Sequence, residues 1–266
     1  MIEASVQSLP ATENARSRAM PTEIDRIAPA LRPPGRTVMF QRWADLLFLH
    51  WPLPVEAIRP HVPEGLGIDT FGGRAYVGLV PFTMTGIRYA WAPPVPGTSR
   101  FHEVNVRTYV HRDGRDPGVW FFSLDAANPL AVLMARWAWG LPYHLARMSL
   151  KIDPDRVEYR SGRVRTGPTP MGCDLAYWPE GTPSAATPGT LEHFLAERYI
   201  LYAFRRGTLY IGRVHHSPYP LQPARVLRLE ENLLQAAGLS RPPGVDPIAH
   251  FASEVRVRVY PLHPVG

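Results

Sequence analysis

The sequence predicts an α+β fold: an antiparallel β-barrel or cone flanked by a few short helices. Strand-like apolar patterns outnumber helical ones, Gly/Pro turn signals separate them at regular intervals, and no long βαβ series is present. The 266 residues include 30 prolines and 21 glycines, so turns are well supplied.

Residues 1–36 carry Ser, Thr, Ala, Glu and Arg without apolar periodicity and close on Arg32-Pro33-Pro34-Gly35. They are expected to form a flexible N-terminal tail ahead of one folded domain, 37–266. Leu46–Trp51 is an apolar strand, and Pro54–Arg59 a short helix opened by proline and ended by Pro60 and Pro63. Gly73–Met84 is a long apolar strand. Phe101–His111 alternates: Val104, Val106 and Val110 share one face, and Glu103, Asn105, Arg107 and Tyr109 the other. Val119–Leu124 is continuously apolar, as in a strand covered on both faces. Asn128-Pro129 is an N-cap followed by proline at the first helical position, with Gly140 as the terminator. The helix between them, Leu130–Trp139, is apolar all round except Arg136 and is expected inside the protein. An extended run to Ile152 turns at Asp153-Pro154 into Arg156–Arg165. Residues 167–189 are expected as loop, Thr190–Tyr202 as a capped helix, and Thr208–His216 as a strand. Ala224–Leu229 is extended and precedes a short helix to Gly238; Val255–Tyr260 closes the chain with its valines inside.

Composition narrows the function. Hydrophobic residues make up 45%, which excludes global disorder. No apolar run reaches the roughly 18–20 residues of a membrane-spanning helix. The start of the chain lacks a charged-then-apolar leader pattern, and the single cysteine, Cys173, forms no internal disulfide; both fit a cytoplasmic protein. Cys173 stands in a Gly/Pro-rich stretch with no activating signature. Formal net charge is +6, and of 29 basic residues only Lys151 is lysine. The densest basic group, Arg156, Arg160, Arg163 and Arg165, reads as a solvated hairpin rather than a basic patch interleaved with aromatics, so nucleic acid is not expected as a partner.

Several segments together resemble the YqjF-like family of bacterial proteins. They are Phe48-Leu-His-Trp-Pro-Leu-Pro, Gly73-Arg-Ala-Tyr-Val-Gly-Leu-Val-Pro-Phe, Glu103-Val-Asn-Val-Arg-Thr-Tyr-Val, Glu197-Arg-Tyr and His215-His-Ser-Pro-Tyr-Pro-Leu-Gln. That family is more remotely similar to acetoacetate decarboxylase, through Pro54-Val-Glu-Ala-Ile-Arg and Ala135-Arg-Trp-Ala-Trp-Gly-Leu-Pro-Tyr-His. The resemblance implies an acetoacetate-decarboxylase-like barrel or cone with a ligand pocket. It also implies that Glu103 organises the pocket and that Tyr143 and His144 occupy the positions of the two catalytic lysines. The substrate-binding arginine has no counterpart; the equivalent stretch is His50-Trp51-Pro52.

Schiff-base chemistry needs a lysine of lowered pKa, which this segment lacks; the decarboxylase is itself a standard example of that requirement. Lys151 lies eight strand residues beyond Tyr143, roughly 26 Å away at about 3.3 Å per residue. The expected activity is therefore proton transfer on a small carbonyl or carboxylate compound: an enolisation, dehydration, cyclisation or decarboxylation without an imine. The candidate catalytic residues are Glu103, Tyr143 and His144. Adjacent strand residues point to opposite faces, so only one of Tyr143 and His144 meets the ligand. Asn105 and Arg107 are candidate substrate contacts, an amide and a guanidinium able to clamp a carboxylate. Alternation alone reads their face as solvated; the resemblance turns it inward. His215 and His216 are further substrate-binding candidates, because consecutive strand residues do not readily ligate one metal. Neither a metal nor a cofactor is expected. The partner class is a small-molecule ligand or substrate, without nucleic acid or membrane, and a homo-oligomer is allowed. The alternative is a non-catalytic binding protein that kept the pocket and lost the lysine.

Overall fold

The computed structural model describes residues 20–94, 97, 99–165 and 169–265. Thirteen strands form one hydrogen-bonded sheet: β1 (Met39–Leu53), β2 (Gly67–Ile68), β3 (Ala75–Tyr89), β4 (Arg100–Arg112), β5 (Arg115–Ala126), β6 (Tyr143–Ile152), β7 (Val157–Arg163), β8 (Gly172–Pro179), β9 (Ile200–Arg205), β10 (Thr208–His215), β11 (Leu221–Glu231), β12 (Ile248–Val259) and β13 (His263–Pro264). Helices are few and short: α1 (Glu23–Ile27), α2 (Val55–Ile58), α3 (Pro129–Met134), α4 (Leu191–Ala196) and α5 (Leu233–Ala236).

Pairing is antiparallel except along one edge of β5. There its first half runs parallel to β9 and its last residues parallel to β6. This fork lets the pairing return on itself by two routes. One runs β12-β1-β3-β4-β5-β6-β7-β8-β11 and back to β12; the other replaces β6, β7, β8 and β11 by β9 and β10. The strands shared by both routes are covered on both faces. The first core takes Leu47, Leu49, Trp51, Val104, Val106, Tyr159 and Tyr177. The second takes the alternate residues, including Leu46, Phe48, Val80, Phe82, Leu124, Tyr143 and Tyr219.

Four expectations change. Within the expected tail, residues 1–19 lie outside the described residues, whereas Thr22 caps α1 with a capping box and Arg26 reaches Asp69. Local composition does not reveal an ion pair to a residue 43 positions away. The run 130–139 is α3 followed by a π-helical turn, Ala135–Trp139, and it lies at the surface: Leu133 is 63% and Trp137 67% exposed. Only its Val132 side, with Ala131, Ala135 and Trp139, packs on the second core. Residues 167–189 include β8, which pairs with β7 and β11 and buries Cys173, Leu175 and Tyr177. Flanking Gly and Pro obscured this alternation. Finally, the Thr190-capped helix stops at Ala196; Glu197 leaves helical geometry, and Ile200 onward pairs with β10. Sheet pairing of β-branched and aromatic residues wins over helical continuation there.

Candidate active site and its relatives

Strand register explains how the site is assembled. Across β3, β4 and β5, Glu103 faces Phe82 and Ala126, while Asn105 faces Val80 and Leu124. Leu124 in turn pairs with Tyr143 across the parallel junction. Cross-strand partners share a face, so Tyr143 arrives on the side of Asn105, diagonal to Glu103. Its hydroxyl donates to Glu103 Oε2 at 2.7 Å. His144 pairs with Asp125, which pairs with Val104, and so takes the opposite face. The structure thus separates the two residues and brings only Tyr143 to Glu103.

The row points inward. Glu103, Asn105 and Arg107 are 2%, 4% and 8% exposed, where alternation alone suggested solvent. Glu103 is wrapped by hydrogen bonds: Tyr143 and the Asn105 side chain bond its carboxyl, and the Tyr159 hydroxyl donates to its carbonyl at 2.7 Å. Among the described residues no cation pairs with it. Burial therefore dominates, and with Asp125 adding like charge it raises the Glu103 pKa from 4.5 to about 8 despite the hydrogen bonds. Burial, and then the neighbouring carboxyl, push the Tyr143 phenol well above its usual value. At neutral pH both groups carry their protons.

Arg107 ends the row. Its guanidinium lies 5.6 Å from the Phe48 ring, donates to the Leu195 carbonyl at 3.1 Å, and leaves Nε buried without a partner. His50 faces Gly78, and Gly78 faces Arg107, on β1, β3 and β4. A Cβ on Gly78 would stand 2.9 Å from the His50 ring, so the missing side chain makes room for histidine and arginine to close over it. His50 Nε2 meets the Tyr109 hydroxyl at 2.6 Å, and that hydroxyl donates to the Leu195 carbonyl at 2.6 Å. Burial, then Arg107, hold His50 neutral well below its usual pKa.

The histidine pair also divides. His215 stays partly exposed beside Arg258. His216 is buried between the Tyr199 and Tyr219 rings, with centroids at 4.5 and 4.6 Å. Its Nδ1 bonds the Ser217 carbonyl at 2.7 Å. A carbonyl only accepts, so Nδ1 carries the hydrogen and Nε2 is a bare acceptor, buried and unpaired. Burial lowers the His216 pKa to about 4. Tyr219 packs on Phe48 and Trp43 packs on both His216 and Phe82, so His216 lines the same core as the row. His144, half-buried beside Arg163 and Arg136, has its pKa lowered to about 4, mainly by burial.

Several participants escaped sequence reasoning. His50 stood only for a missing arginine, and Tyr109 was merely a residue of the polar face. Glu197 accepts from the Tyr219 amide at 2.8 Å and from the Tyr199 hydroxyl at 2.5 Å; its signal was the Glu197-Arg-Tyr segment. The other ionisable candidates stand apart. Lys151 is exposed and paired with Asp153, and burial drives the Cys173 thiol strongly upward, leaving it unreactive. Among the described residues no three His, Cys, Asp or Glu side chains gather as a metal site, and no helix is long and apolar enough to cross a membrane.

Comparison with known proteins agrees with this architecture. Residues 40–256 match DUF2071, a family of uncharacterized conserved proteins. The chain belongs to the DUF2071 family. Within reach of this DUF2071 chain is the uncharacterized protein YqjF of Bacillus subtilis (strain 168), 39% identical over 230 residues, 86% of this chain and 93% of YqjF. Among solved structures, the enduracididine biosynthesis enzyme MppR complexed with pyruvate superposes with a TM-score of 0.61 at 11% identity, covering 100% of this chain and 99% of MppR. Acetoacetate decarboxylase from Legionella pneumophila gives 0.59 at 13% identity, covering 97% and 98%. An acetoacetate decarboxylase-like enzyme from Sphingomonas wittichii RW1 gives 0.58 at 12%, covering 87% and 94%. At these identities the likeness concerns the fold, which is acetoacetate-decarboxylase-like.

Proposed function

We propose that this DUF2071 protein acts on a small carbonyl or carboxylate compound by proton transfer, without an enzyme-bound imine. The observation that carries this reading is a cluster of polar atoms, buried in one apolar core, that want partners. Asn105 Oδ1, Arg107 Nε and His216 Nε2 have none, and His50 Nδ1 beside Arg107 has none either. Buried polar atoms in folded proteins are nearly always paired, and each unpaired one costs about 1–3 kcal/mol. A ligand offering an anionic oxygen to Arg107 Nε and hydrogen-bond donors to the acceptors Asn105 Oδ1 and His216 Nε2 would satisfy those three together.

Glu103 starts as the acid. Its protonated carboxyl gives a proton to the substrate carbonyl oxygen, and the carboxylate that results is held by Tyr143 and Asn105. The same carboxylate then removes a proton from the carbon beside the carbonyl, which converts the ketone to its enol and returns Glu103 to its acid form. Arg107 anchors a carboxylate of the substrate. A surface cavity of about 620 Å³ lies at the start of β4, lined by Arg100, Phe101, His102, Asn128 and Leu130; it stops short of Glu103. Entry to the row from this cavity requires side chains at that end of the core to move.

The rival reading is a binding protein without chemistry. The closure of Glu103 from solvent and the loss of both lysines at Tyr143 and His144 favour it. Incubating the protein with a panel of 2-oxo and 3-oxo acids in D2O, followed by proton NMR, separates the two. Exchange of the protons beside the carbonyl, abolished by Glu103→Gln, supports catalysis. Binding without exchange supports the rival, and neither binding nor exchange across the panel defeats both.

A further inference from the structure

We propose that helix α1 is a working part of this site: Arg26, acting through Asp69 and Arg198, positions the Leu195 carbonyl that orients Arg107 and Tyr109. What the orientation serves rests on the reading of Arg107 as an anion contact; the chain of contacts does not. Asp69 is wholly buried. One of its oxygens accepts from Arg26 at 2.5 Å and the other from Arg198 at 2.9 Å. A buried carboxylate of this kind depends on both partners, since removing one leaves charge poorly compensated in a low-dielectric interior. Arg26 also donates to the Pro21 carbonyl at 2.6 Å, which ties the chain before α1 to the same point. The supplier of this cation lies outside the stretch that matches DUF2071, residues 40–256.

From Asp69 the path leads directly to the row. Arg198 Nε donates to the Phe194 carbonyl at 2.8 Å, and its guanidinium lies 4.3 Å from the Phe194 ring and 4.8 Å from the Tyr109 ring. These contacts hold the last turn of α4. The next carbonyl, that of Leu195, accepts from both Tyr109 and Arg107. Tyr109 in turn meets His50. Arg26 thus stands four contacts from the unpaired Nε of Arg107. It is a positioning residue, and it adds a cation at the end of the core where an anion would bind. No ion pair joins Arg107 to a carboxylate among the described residues, so that end carries positive charge awaiting a counter-ion.

Full-length Arg26→Gln and Arg26→Lys variants test this with readouts that need no knowledge of the natural ligand. Amide hydrogen exchange follows residues 195–198 against β7 and β8, side-chain NMR follows Arg107 Nε–H and the His50 ring, and formate serves as the anionic probe. In Arg26→Gln, exchange at 195–198 accelerates by about tenfold or more while β7 and β8 keep their rates. The Arg107 and His50 signals shift, formate binding weakens at least ~3-fold, and Arg26→Lys restores part of each effect. Unchanged local exchange and unchanged His50 and Arg107 signals overturn the proposal. So does acceleration by one common factor in β7 and β8, which would mark a general loss of stability. If formate fails to bind even the unaltered protein while the local signals still move, the relay stands and the anion role of Arg107 falls. If formate binds both equally and the signals stay put, the reverse holds.

Discussion

Replacing Glu103 by Gln probes the electrostatics of the site through stability, whatever the substrate. The amide has the shape of the protonated carboxyl, still accepts from Tyr143, and cannot ionise. The Glu103 pKa rises from 4.5 in the unfolded chain to about 8 in the folded one, so the folded state binds the proton more tightly. Stability from this group is fully present below pH 4.5 and is lost as the pH climbs through about 8. At about 1.36 kcal/mol per pH unit the full loss is about 5 kcal/mol, of which about 3 is already spent at pH 7. Urea unfolding of both proteins at pH 5, 7 and 9 measures it. The unaltered protein is expected to fall behind Glu103→Gln progressively over that range. Stability curves that stay parallel from pH 5 to 9 would refute the claim that Glu103 is a buried neutral acid.

Three other outcomes are expected. Tyr143→Phe removes a hydrogen bond that lowers the Glu103 pKa, so the carboxyl should titrate above about 8 by NMR, and any proton exchange catalysed with oxo acids should fall by roughly 10²-fold. Gly78→Ala drives a methyl into the His50 ring, and urea unfolding should show a loss of about 1–3 kcal/mol. Borohydride reduction in the presence of pyruvate should leave the intact mass unchanged, because the lysine positions are Tyr143 and His144 and Lys151 is tied to Asp153 at the surface. A pyruvate-derived adduct would restore imine chemistry to consideration.

How much was visible beforehand varies with the kind of signal. Alternation along Phe101–His111 was sufficient to place Glu103, Asn105 and Arg107 on one face, because the period of a strand is a local property. The same rule foretold that Tyr143 and His144 would part. It could not say which would meet the row; that depended on the parallel junction in which Leu124 bridges Asn105 and Tyr143. The apolar helix shows the converse error. Leu130–Trp139 has the composition of a buried element, yet it covers the core with one side only and leaves Leu133 and Trp137 outside.

From the linear chain alone follow the mostly antiparallel β architecture, the caps at Asn128 and Thr190, the absence of the lysine pair, and the kinship with YqjF. Each is written in neighbouring residues or short motifs. Tertiary structure decided that the polar row faces inward, that His216 rather than His215 joins it, that His50 and Tyr109 complete it, and that Arg26 pairs with the buried Asp69. These are facts of burial and of contacts spanning tens to more than a hundred residues, such as Asp69 with Arg198. Proton affinity follows the same division: a carboxyl ionises according to the solvent it has lost and the cations it has failed to find. Glu103 acquires its raised pKa only when the sheet closes around it.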